Sequence, residues 1–396
     1  MKKILIDGRF IGVGESMTRY ILEFLNGIIA LDQENQYTLL LRPQGEAELE
    51  RYPKIVNAEN LSVDVLDIPH YSFSEQTKLL SYLNAKEYDL IHFIQFNHPI
   101  RYKKPYVITI HDLILLHHFE GNLIKKLAFK MVMNSAVKNS KKILTISNAT
   151  KDGLVKDLKA DPGKIAVTYL GVDRRRYNKE AKYEIRNTKY EIGGPYLLYT
   201  GAWKKHKNLI GLLKAYEQFY SKQFETIGEH KNETMEQLGN RLPKLVLAGR
   251  VDPDEPEVAA EIDRINSALN TQYDIRNTII TTGFVAEEDL PSLCAGALAY
   301  VIPSLEEGFG MPPLEAMACG IPVAASNASC IPEVLGDAAI YFNPNSTDEI
   351  AETLAAVVSD EKLRTDLAKK GLKQAQKYSW SETAKGTLDV YKQALK

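Results

Sequence analysis

The sequence predicts an α/β protein made of two Rossmann-like domains. Short apolar segments alternate with helical patterns along the chain, which is typical of parallel sheets covered by helices on both faces. The alternation occurs in two series separated by a polar stretch. At 396 residues, the chain also exceeds the length of one ordinary domain.

Strands are predicted where a few apolar residues precede a helical pattern. In the first series they are residues 4–7, 37–41, 90–93, 106–110 and 142–146, and in the second 196–200, 245–248, 279–282, 299–302 and 322–325. The first helix is predicted over residues 17–30, where apolar side chains recur every three or four positions.

The domain boundary is predicted in the polar segment 171–195, which has little aliphatic periodicity. A second polar stretch, residues 222–241, is longer than ordinary connections, and we expect a surface insertion there. The predicted divisions of the chain are an N-terminal domain at 1–175, a linker at 176–195, a C-terminal domain at 196–378 and a last helix at 379–396.

Composition excludes several classes of protein. A formal net charge of −2 gives no general attraction to nucleic acid. The three cysteines show neither Cys-x-x-Cys spacing nor nearby histidines, which argues against disulfides and zinc. No apolar run reaches about 18 residues, so no membrane span is expected. The first strand follows Met1 closely, so we expect no signal peptide and a cytoplasmic location.

The segment 301–325 is the most informative part of the chain. An apolar strand leads into a Gly-Phe-Gly loop, and a short helix begins at Pro312 and Pro313 and is closed by Gly320. Backbone N–H groups at a helix N-terminus favour anions. Glu307 and Glu315 flank this point with seven residues between them. An anion site beside two acceptors for hydroxyl groups suits a phosphorylated sugar.

The Glu-x7-Glu spacing, with Gly-Phe-Gly and Pro-x-Leu-Glu-Ala-Met-Ala-x-Gly inside it, resembles the signature of retaining glycosyltransferases of family GT4. The resemblance extends over nearly the whole chain but is thin between residues 36 and 88. It implies the GT-B fold, in which two Rossmann-like domains have parallel sheets facing an interdomain cleft. It also implies that the N-terminal domain binds the acceptor, that the C-terminal domain binds a nucleotide-diphospho-sugar, and that the last helix crosses back to the first domain.

The resemblance also assigns roles around this segment. Glu315 would hold the ribose hydroxyls of the donor, and Glu307 would contact the transferred sugar as a catalytic residue. The backbone lining the donor would be that of Gly308, Phe309, Gly310 and Met311. An alternative for Glu315 is that the helix dipole favours any carboxylate in a first helical turn.

A basic loop follows the first strand of the second domain. Gly201 and His206 are predicted to bind the donor, and Lys207 matches the family's phosphate-binding lysine and is predicted to be catalytic. Ala202 stands where the family usually has arginine, so Lys204 or Lys205 would have to supply that charge. The alternative is a solvated basic turn.

Gly12 and Gly14 follow the first strand and are predicted to bind the donor, as a similar glycine loop in the family does. The dinucleotide-binding fingerprint needs a third glycine at position 17, where this chain has Met17. An enzyme that transfers hydride from a bound dinucleotide is therefore disfavoured. The alternative is a simple turn.

His111 ends a predicted strand, where parallel sheets place their sites, and is predicted to be catalytic by donating a hydrogen bond to a sugar hydroxyl. The alternative is a structural histidine paired with Asp112.

Two further segments could carry function. Asp252 and Asp254 match an Asp-x-Asp metal site, but the acidic surroundings favour a solvated loop, and we expect no metal. Residues 122–142 combine six lysines with the apolar Leu123, Leu127, Met131 and Val132. Such a helix could contact the inner face of a membrane peripherally, or could be an ordinary surface helix.

The expected activity is that of a retaining hexosyltransferase moving mannose or glucose to a glycan or lipid-linked acceptor. The donor would be GDP-mannose, or UDP-glucose as second choice. It is a substrate, so no cofactor is expected. Retention could proceed by front-face substitution or by double displacement. The alternatives are a nucleotide-sugar epimerase and a catalytically silent nucleotide-sugar-binding protein.

Overall fold

The structure, a computed structural model, describes residues 1–119, 121–180, 190, 192–228, 242–250, 252–253, 255–273 and 278–396. The chain divides into two compact units, one formed by Met1–Gly171 with Tyr378–Lys396 and the other by Val172–Lys377. Parts of the predicted linker and of the predicted insertion at 222–241 lie outside the described residues.

The first unit is built on a parallel sheet. Its strands are β1 (Lys3–Asp7), β2 (Gln36–Leu41), β3 (Leu61–Val65), β4 (Leu90–Phe93), β5 (Tyr106–Ile110), β6 (Lys142–Thr145) and β7 (Ile165–Val167). Its helices are α1 (Glu15–Leu31), α2 (Glu46–Leu49), α3 (Pro53–Val56), α4 (Leu80–Ala85), α5 (Ile114–His117), α6 (Leu123–Asn139) and α7 (Asn148–Leu158), with a π-helical turn at Glu75–Leu79. Within the described residues the strand order is β3-β2-β1-β4-β5-β6-β7.

The second unit repeats this architecture. Its strands are β8 (Tyr196–Thr200), β9 (Lys244–Ala248), β10 (Ile279–Gly283), β11 (Ala299–Ile302), β12 (Val323–Ser326) and β13 (Ala339–Phe342). Its helices are α8 (Leu209–Gly228), α9 (Pro256–Tyr273), α10 (Leu290–Ala295), α11 (Met311–Ala318), α12 (Ile331–Leu335), α13 (Thr347–Ser359) and α14 (Glu361–Ala375). Its parallel strands lie, in the described part of the chain, in the order β10-β9-β8-β11-β12-β13.

Each sheet contains a point where the strand order reverses. In the first unit the reversal lies between β1 and β4, and in the second between β8 and β11. Helices from strands on either side of such a point cover opposite faces of the sheet, which leaves a crevice at the carboxyl ends of the two strands. The loops after β1, β4, β8 and β11 are therefore the places where each unit can bind a ligand.

The last helix, α15 (Trp380–Ala394), packs within the first unit. Its Tyr391 hydroxyl lies 2.7 Å from Nδ1 of His92 on β4, and His92 Nε2 lies 2.8 Å from the Thr109 hydroxyl on β5. His92 is fully buried, and burial lowers its pKa to about 3, so the ring is neutral. Paired polar groups inside an apolar core fix the position of α15 on this sheet.

The predicted strands all occur, with ends that differ by one residue in several cases. Three observed strands were not predicted. β3 is an edge strand with mostly exposed or half-buried side chains, and β7 and β13 have three and four residues. Helix α1 begins at Glu15, two residues earlier than predicted, with Gly14 as its N-cap.

Candidate functional site

The loops after β8 and β11 are tied together at the point where the second sheet reverses. The backbone N–H of Leu305 donates to the carbonyl of His206 at 2.8 Å. The Asn208 side chain donates to the carbonyls of Pro303 at 3.2 Å and Pro344 at 2.7 Å. Asn208 has φ +57°, a left-handed conformation that asparagine tolerates. These bonds hold the short turn Lys205–Lys207 beside the loop that carries Glu307.

Lys207 and Glu307 form a close ion pair across these two loops. The Lys207 ammonium lies 2.8 Å from each carboxylate oxygen of Glu307, and the Ser304 hydroxyl donates to Glu307 Oε1 at 2.7 Å. Both charged side chains are half-buried, so their attraction is less screened than on an open surface. The structure thus brings together two of the predicted catalytic residues.

The backbone of Glu307 is held by the loop after β12. The Ser329 hydroxyl donates to the carbonyl of Glu307 at 2.9 Å and accepts from its N–H at 3.3 Å. Ser329 has φ +57°, unusual for serine, and Cys330 Sγ lies 3.2 Å from the same carbonyl. Sequence reasoning missed Ser304 and Ser329. Their proximity to Glu307 has no local sequence signal beyond their position after apolar strands.

The helix that follows Glu307 offers fewer donors than predicted. Helix α11 begins at Met311, one residue before the predicted start, and its N-cap Gly310 has φ +86°, which favours glycine. Pro312 and Pro313 carry no N–H. The backbone donors that this helix end can present are therefore those of Gly310 and Met311. The neighbouring Gly308 and Phe309 are buried.

Glu315 lies in the second turn of α11 and is 8% exposed. The alternative was that the helix dipole accounts for a carboxylate at position 315. It is wrong, because the stabilisation of a carboxylate by the dipole fades beyond the first helical turn. A buried carboxylate needs partners to offset its lost hydration. Its proposed role toward ribose stays a prediction.

The glycine loop after β8 packs directly on the loop after β9. A Cβ atom on Gly249 would lie 1.9 Å from the carbonyl oxygen of Gly201, so this backbone contact requires glycine. Lys204, one of the two cations expected to replace the missing arginine, forms an ion pair with Asp252 at 2.6 Å. Asp254 lies outside the described residues. Across the part of the chain that is described, no cluster of three or more His, Cys, Asp or Glu side chains could hold a metal ion.

The backbone requires a glycine at position 12 but not at position 14. Gly12 has φ +79°, and a Cβ there would lie 2.7 Å from the carbonyl oxygen of Gln44. Its N–H donates to the Thr18 hydroxyl at 2.9 Å. Gly14 is extended, with open space around its Cα. Local packing thus explains Gly12 as a turn residue, and donor contact by either glycine stays a prediction.

His111 follows β5 and is 8% exposed. Its Nε2 donates to the carbonyl of Ile94 at 3.0 Å, so this bond does not go to Asp112, the partner expected for a structural histidine. Burial lowers the pKa of His111 to about 4, which leaves a neutral ring at pH 7. With its proton on Nε2, the neutral ring has an acceptor at Nδ1. The Nε2 proton is thus already used, so the structure does not support the expected donation to a sugar hydroxyl, and contact between His111 and a sugar stays a prediction.

Two family models match this chain. The model described as Glycosyltransferase Family 4 matches residues 17–176, and that described as Glycosyl transferases group 1 matches residues 182–374. This chain belongs to the GT4 family of glycosyltransferases. The predicted family and the predicted class of enzyme, a hexosyltransferase, are confirmed.

Curated relatives of this GT4 chain include mannosyltransferases of Escherichia coli. O-antigen chain mannosyltransferase B is 29% identical over 290 residues, which cover 72% of this chain and 70% of the relative. Serotype-specific mannosyltransferase WbdA is 30% identical over 207 residues, which are 52% of this chain and 23% of the relative. The match thus spans less than a quarter of WbdA.

Solved structures show the fold. HepE of Anabaena, in complex with UDP and glucose, aligns with a TM-score of 0.72 at 18% identity and covers 99% of this chain and 100% of that chain. Sucrose-phosphate synthase of Thermosynechococcus elongatus aligns at 0.73 with 18% identity, covering 99% of each chain. The GT4 chain has the predicted GT-B fold. Among its described residues, no helix combines the length and apolar character needed to cross a membrane.

Proposed function

We propose that this GT4 enzyme is a retaining hexosyltransferase that moves mannose, or glucose as second choice, from a nucleotide-diphospho-sugar to a glycan or lipid-linked acceptor. The observation that carries the proposal is the Lys207–Glu307 pair at the strand-order reversal of the second unit. A cation and a hydroxyl acceptor lie there, and the helix end that follows Glu307 in the chain adds the N–H groups of Gly310 and Met311. This combination matches a diphosphate joined to a sugar.

The ion pair implies an exchange of partners when the donor binds. An ammonium has three N–H donors, and Glu307 accepts from Lys207 through both oxygens. A diphosphate carries more negative charge than one carboxylate and competes for the ammonium. Glu307 is then released to accept hydrogen bonds from sugar hydroxyls, while Ser304 and Ser329 keep it in place.

Charge on the donor grows as the glycosidic bond breaks. The leaving diphosphate becomes more negative, and Lys207 with the N–H groups of Gly310 and Met311 stabilises it in the transition state. Glu315, buried one helical turn farther along α11, accepts hydrogen bonds from the ribose hydroxyls. Gly201 and His206 complete the donor site through the backbone of the loop after β8.

The first unit is proposed to bind the acceptor. His111 lies at the carboxyl end of β5 with a neutral ring whose Nδ1 is an acceptor, so it would receive a hydrogen bond from a sugar hydroxyl. A histidine in this state does not act as a proton donor near pH 7. That is compatible with a retaining reaction in which the departing phosphate accepts the proton of the acceptor.

The choice between GDP-mannose and UDP-glucose rests on the proteins that this chain resembles. The two Escherichia coli relatives named above are mannosyltransferases, which favours GDP-mannose, whereas the HepE complex contains UDP and glucose and supports UDP-glucose as second choice. The test is to incubate the enzyme with each donor and octyl α-D-mannopyranoside and to analyse products by NMR. Transfer with the donor's anomeric configuration kept supports the proposal.

Other products of the same incubation would favour other functions. Inversion of configuration would contradict retention. Conversion of the donor into an epimer without acceptor would favour a nucleotide-sugar epimerase. Tight donor binding without turnover on any acceptor would favour a silent binding protein, for which Ala202 in place of the family's arginine is the supporting observation.

We also propose a cytoplasmic enzyme that binds the inner face of a membrane peripherally through residues 122–142. On α6, four apolar side chains are between 59% and 78% exposed: Leu123, Ile124, Leu127 and Met131. At 100° per residue they form one stripe, opposite the face on which Met133 and Ala136 are buried. Lys126 and Lys130 flank the stripe, which suits an anionic lipid surface. The fourth predicted apolar residue, Val132, packs on the core.

Co-sedimentation with vesicles tests the membrane contact. Wild-type protein should pellet with phosphatidylcholine vesicles containing phosphatidylglycerol, and less at high salt. Leu123→Ser with Leu127→Ser should reduce binding at every salt concentration, because these changes remove apolar contacts rather than charge. Leu31→Ser with Val56→Ser, two exposed apolar residues elsewhere in the first unit, is the control. No binding at low salt would leave α6 as an ordinary surface helix.

A further inference from the structure

Tyr71 has a backbone conformation that tyrosine rarely adopts. Its φ is +54°, in the left-handed region where a bulky side chain is strained. The flanking residues hold this geometry. The ring of His70 stacks on Phe10 with centroids 3.7 Å apart, His70 Nε2 donates to the carbonyl of Arg9 at 2.8 Å, and the Ser72 hydroxyl donates to the carbonyl of Pro69 at 2.6 Å. Such strain persists where the surroundings fix it, and it is concentrated at functional sites.

The side chain of Tyr71 is 58% exposed although it has aromatic neighbours. Its ring centroid lies 5.7 Å from that of Phe96 and 6.2 Å from that of Phe10, both buried. Phe96 in turn lies 5.0 Å from Phe129 on α6. A continuous row of rings therefore connects the exposed tyrosine with the helix that carries the apolar stripe.

The segment that holds Tyr71 is anchored at the strand-order reversal of the first sheet. The guanidinium of Arg9, fully buried just after β1, donates to both oxygens of Asp7, at 2.8 and 2.7 Å, and to Glu75 at 3.0 Å. Asn97, after β4, donates to the same oxygen of Glu75 at 2.6 Å. Buried charges paired in this way fix the loops after β1 and β4 relative to Tyr71.

The exposed ring and hydroxyl of Tyr71 suit a polyhydroxylated ligand. Desolvation, and then the charges of Glu75 and Asp112, raise the pKa of the Tyr71 hydroxyl above its ordinary value. The hydroxyl therefore stays protonated and can donate. Asp112 directly follows His111, the proposed acceptor of a sugar hydroxyl. Glu75 is itself buried and bonded to Arg9 and Asn97, so the exposed Tyr71 ring supplies the apolar surface and its hydroxyl the polar group that a hexopyranose ring requires.

We propose that Tyr71 is the stacking platform for the acceptor in the first unit, with its ring against the apolar face of a hexopyranoside and its hydroxyl donating to a sugar oxygen. This proposal rests on the proposed function and names the residue that positions its acceptor.

The test uses the full chain, octyl α-D-mannopyranoside as acceptor and whichever of GDP-mannose and UDP-glucose the wild type consumes. Tyr71→Asn removes the ring but tolerates the left-handed backbone, and Tyr71→Phe keeps the ring. Tyr71→Asn should raise the acceptor KM by about tenfold, whereas Tyr71→Phe should raise it far less. The donor KM should be unchanged in both variants. The control is Phe73→Ala, which removes another aromatic side chain of the same segment that is 80% exposed. Its acceptor KM should match that of the wild type.

The outcomes separate this inference from the proposed function. Wild-type transfer with an unchanged acceptor KM in Tyr71→Asn would overturn the role of Tyr71 alone. An equal rise in Phe73→Ala would also overturn it, because the effect would then belong to the segment rather than to the ring. Absence of transfer by the wild type would instead count against the proposed function. Donor-induced thermal stabilisation, measured for each variant, shows that the second unit is intact.

Discussion

The ammonium of Lys207 lies 2.8 Å from each carboxylate oxygen of Glu307, although 100 residues separate them in the chain. This contact joins the loops that follow β8 and β11, where the strand order of the second sheet reverses. The pair neutralises the site before a ligand binds. It also leaves both charges available to an anionic, hydroxylated donor that can exchange partners with them.

Replacing Lys207 with alanine should lower turnover much more than it lowers stability. Loss of one group that stabilises transition-state charge typically costs about 10² to 10³ in kcat. The cost in unfolding free energy should lie in the lower part of the range of about 1–3 kcal/mol, because the two side chains are only 21% and 12% exposed but Glu307 keeps its bond from Ser304. Steady-state kinetics and thermal melts measure both. The exposed Lys214→Ala on α8 is the control, and an unchanged turnover in Lys207→Ala would move the role to Lys204 or Lys205.

Glu315→Ala should weaken binding of the nucleotide-sugar by about 1.5–3 kcal/mol, the range for a hydrogen bond to a charged group. Isothermal titration with GDP-mannose measures the change in Kd, and Glu352→Ala on the exposed face of α13 is the matched control. Donor binding as tight as in the wild type would show that Glu315 does not hold the ribose.

Much of the fold could be predicted because buried parallel strands are short apolar runs. The strand at residues 90–93 and that at 106–110 occur as predicted, since both are buried throughout. β3 could not be found in this way, because its side chains are mostly exposed or half-buried at the sheet edge. β7 is too short to give a periodic pattern.

The sequence could suggest candidate site residues but not the contacts between them. Glu307 and Lys207 follow different strands, and only the strand order places those strands side by side. The bonds from Ser304 and Ser329 likewise depend on long-range packing. The hydrogen bond of His111 to Ile94 decides its tautomer, and nothing local to His111 predicts it. The missing donors of Pro312 and Pro313, by contrast, are visible in the sequence itself.

Stability should fall as pH decreases from about 6.5 toward 3, because of His92. Its folded-state pKa of about 3 lies below the ordinary value of 6.5, so in this window the unfolded chain binds a proton that the folded chain does not. Above pH 6.5 this group has no effect. At pH 4 the loss should be about 3 kcal/mol.

Urea unfolding at pH 7, 5 and 4 measures this dependence, with His92→Asn as the variant that lacks the titrating ring. The decline with falling pH should be shallower in His92→Asn than in the wild type. The exposed His118→Asn serves as control and should keep the wild-type slope. A wild-type slope in His92→Asn would show that His92 does not titrate on unfolding.

Activity should persist in excess EDTA, because Lys207 and backbone N–H groups are proposed to meet the phosphate charge. Transfer assays with and without the chelator decide this. Complete loss on chelation, restored by manganese, would contradict the prediction. It would also require a new role for Asp252, whose carboxylate pairs with Lys204.

The central claim, that the second unit binds a nucleotide-sugar between Lys207 and Glu315, is tested most directly by thermal melting with a panel of nucleotides and nucleotide-sugars. Ligands that bind the native state raise the melting temperature according to their affinity. GDP-mannose should give the largest rise, with UDP-glucose as second choice, and Lys207→Ala and Glu315→Ala should each reduce it. If no nucleotide-sugar stabilised the wild type, or if both variants responded as the wild type does, the proposed site would be wrong.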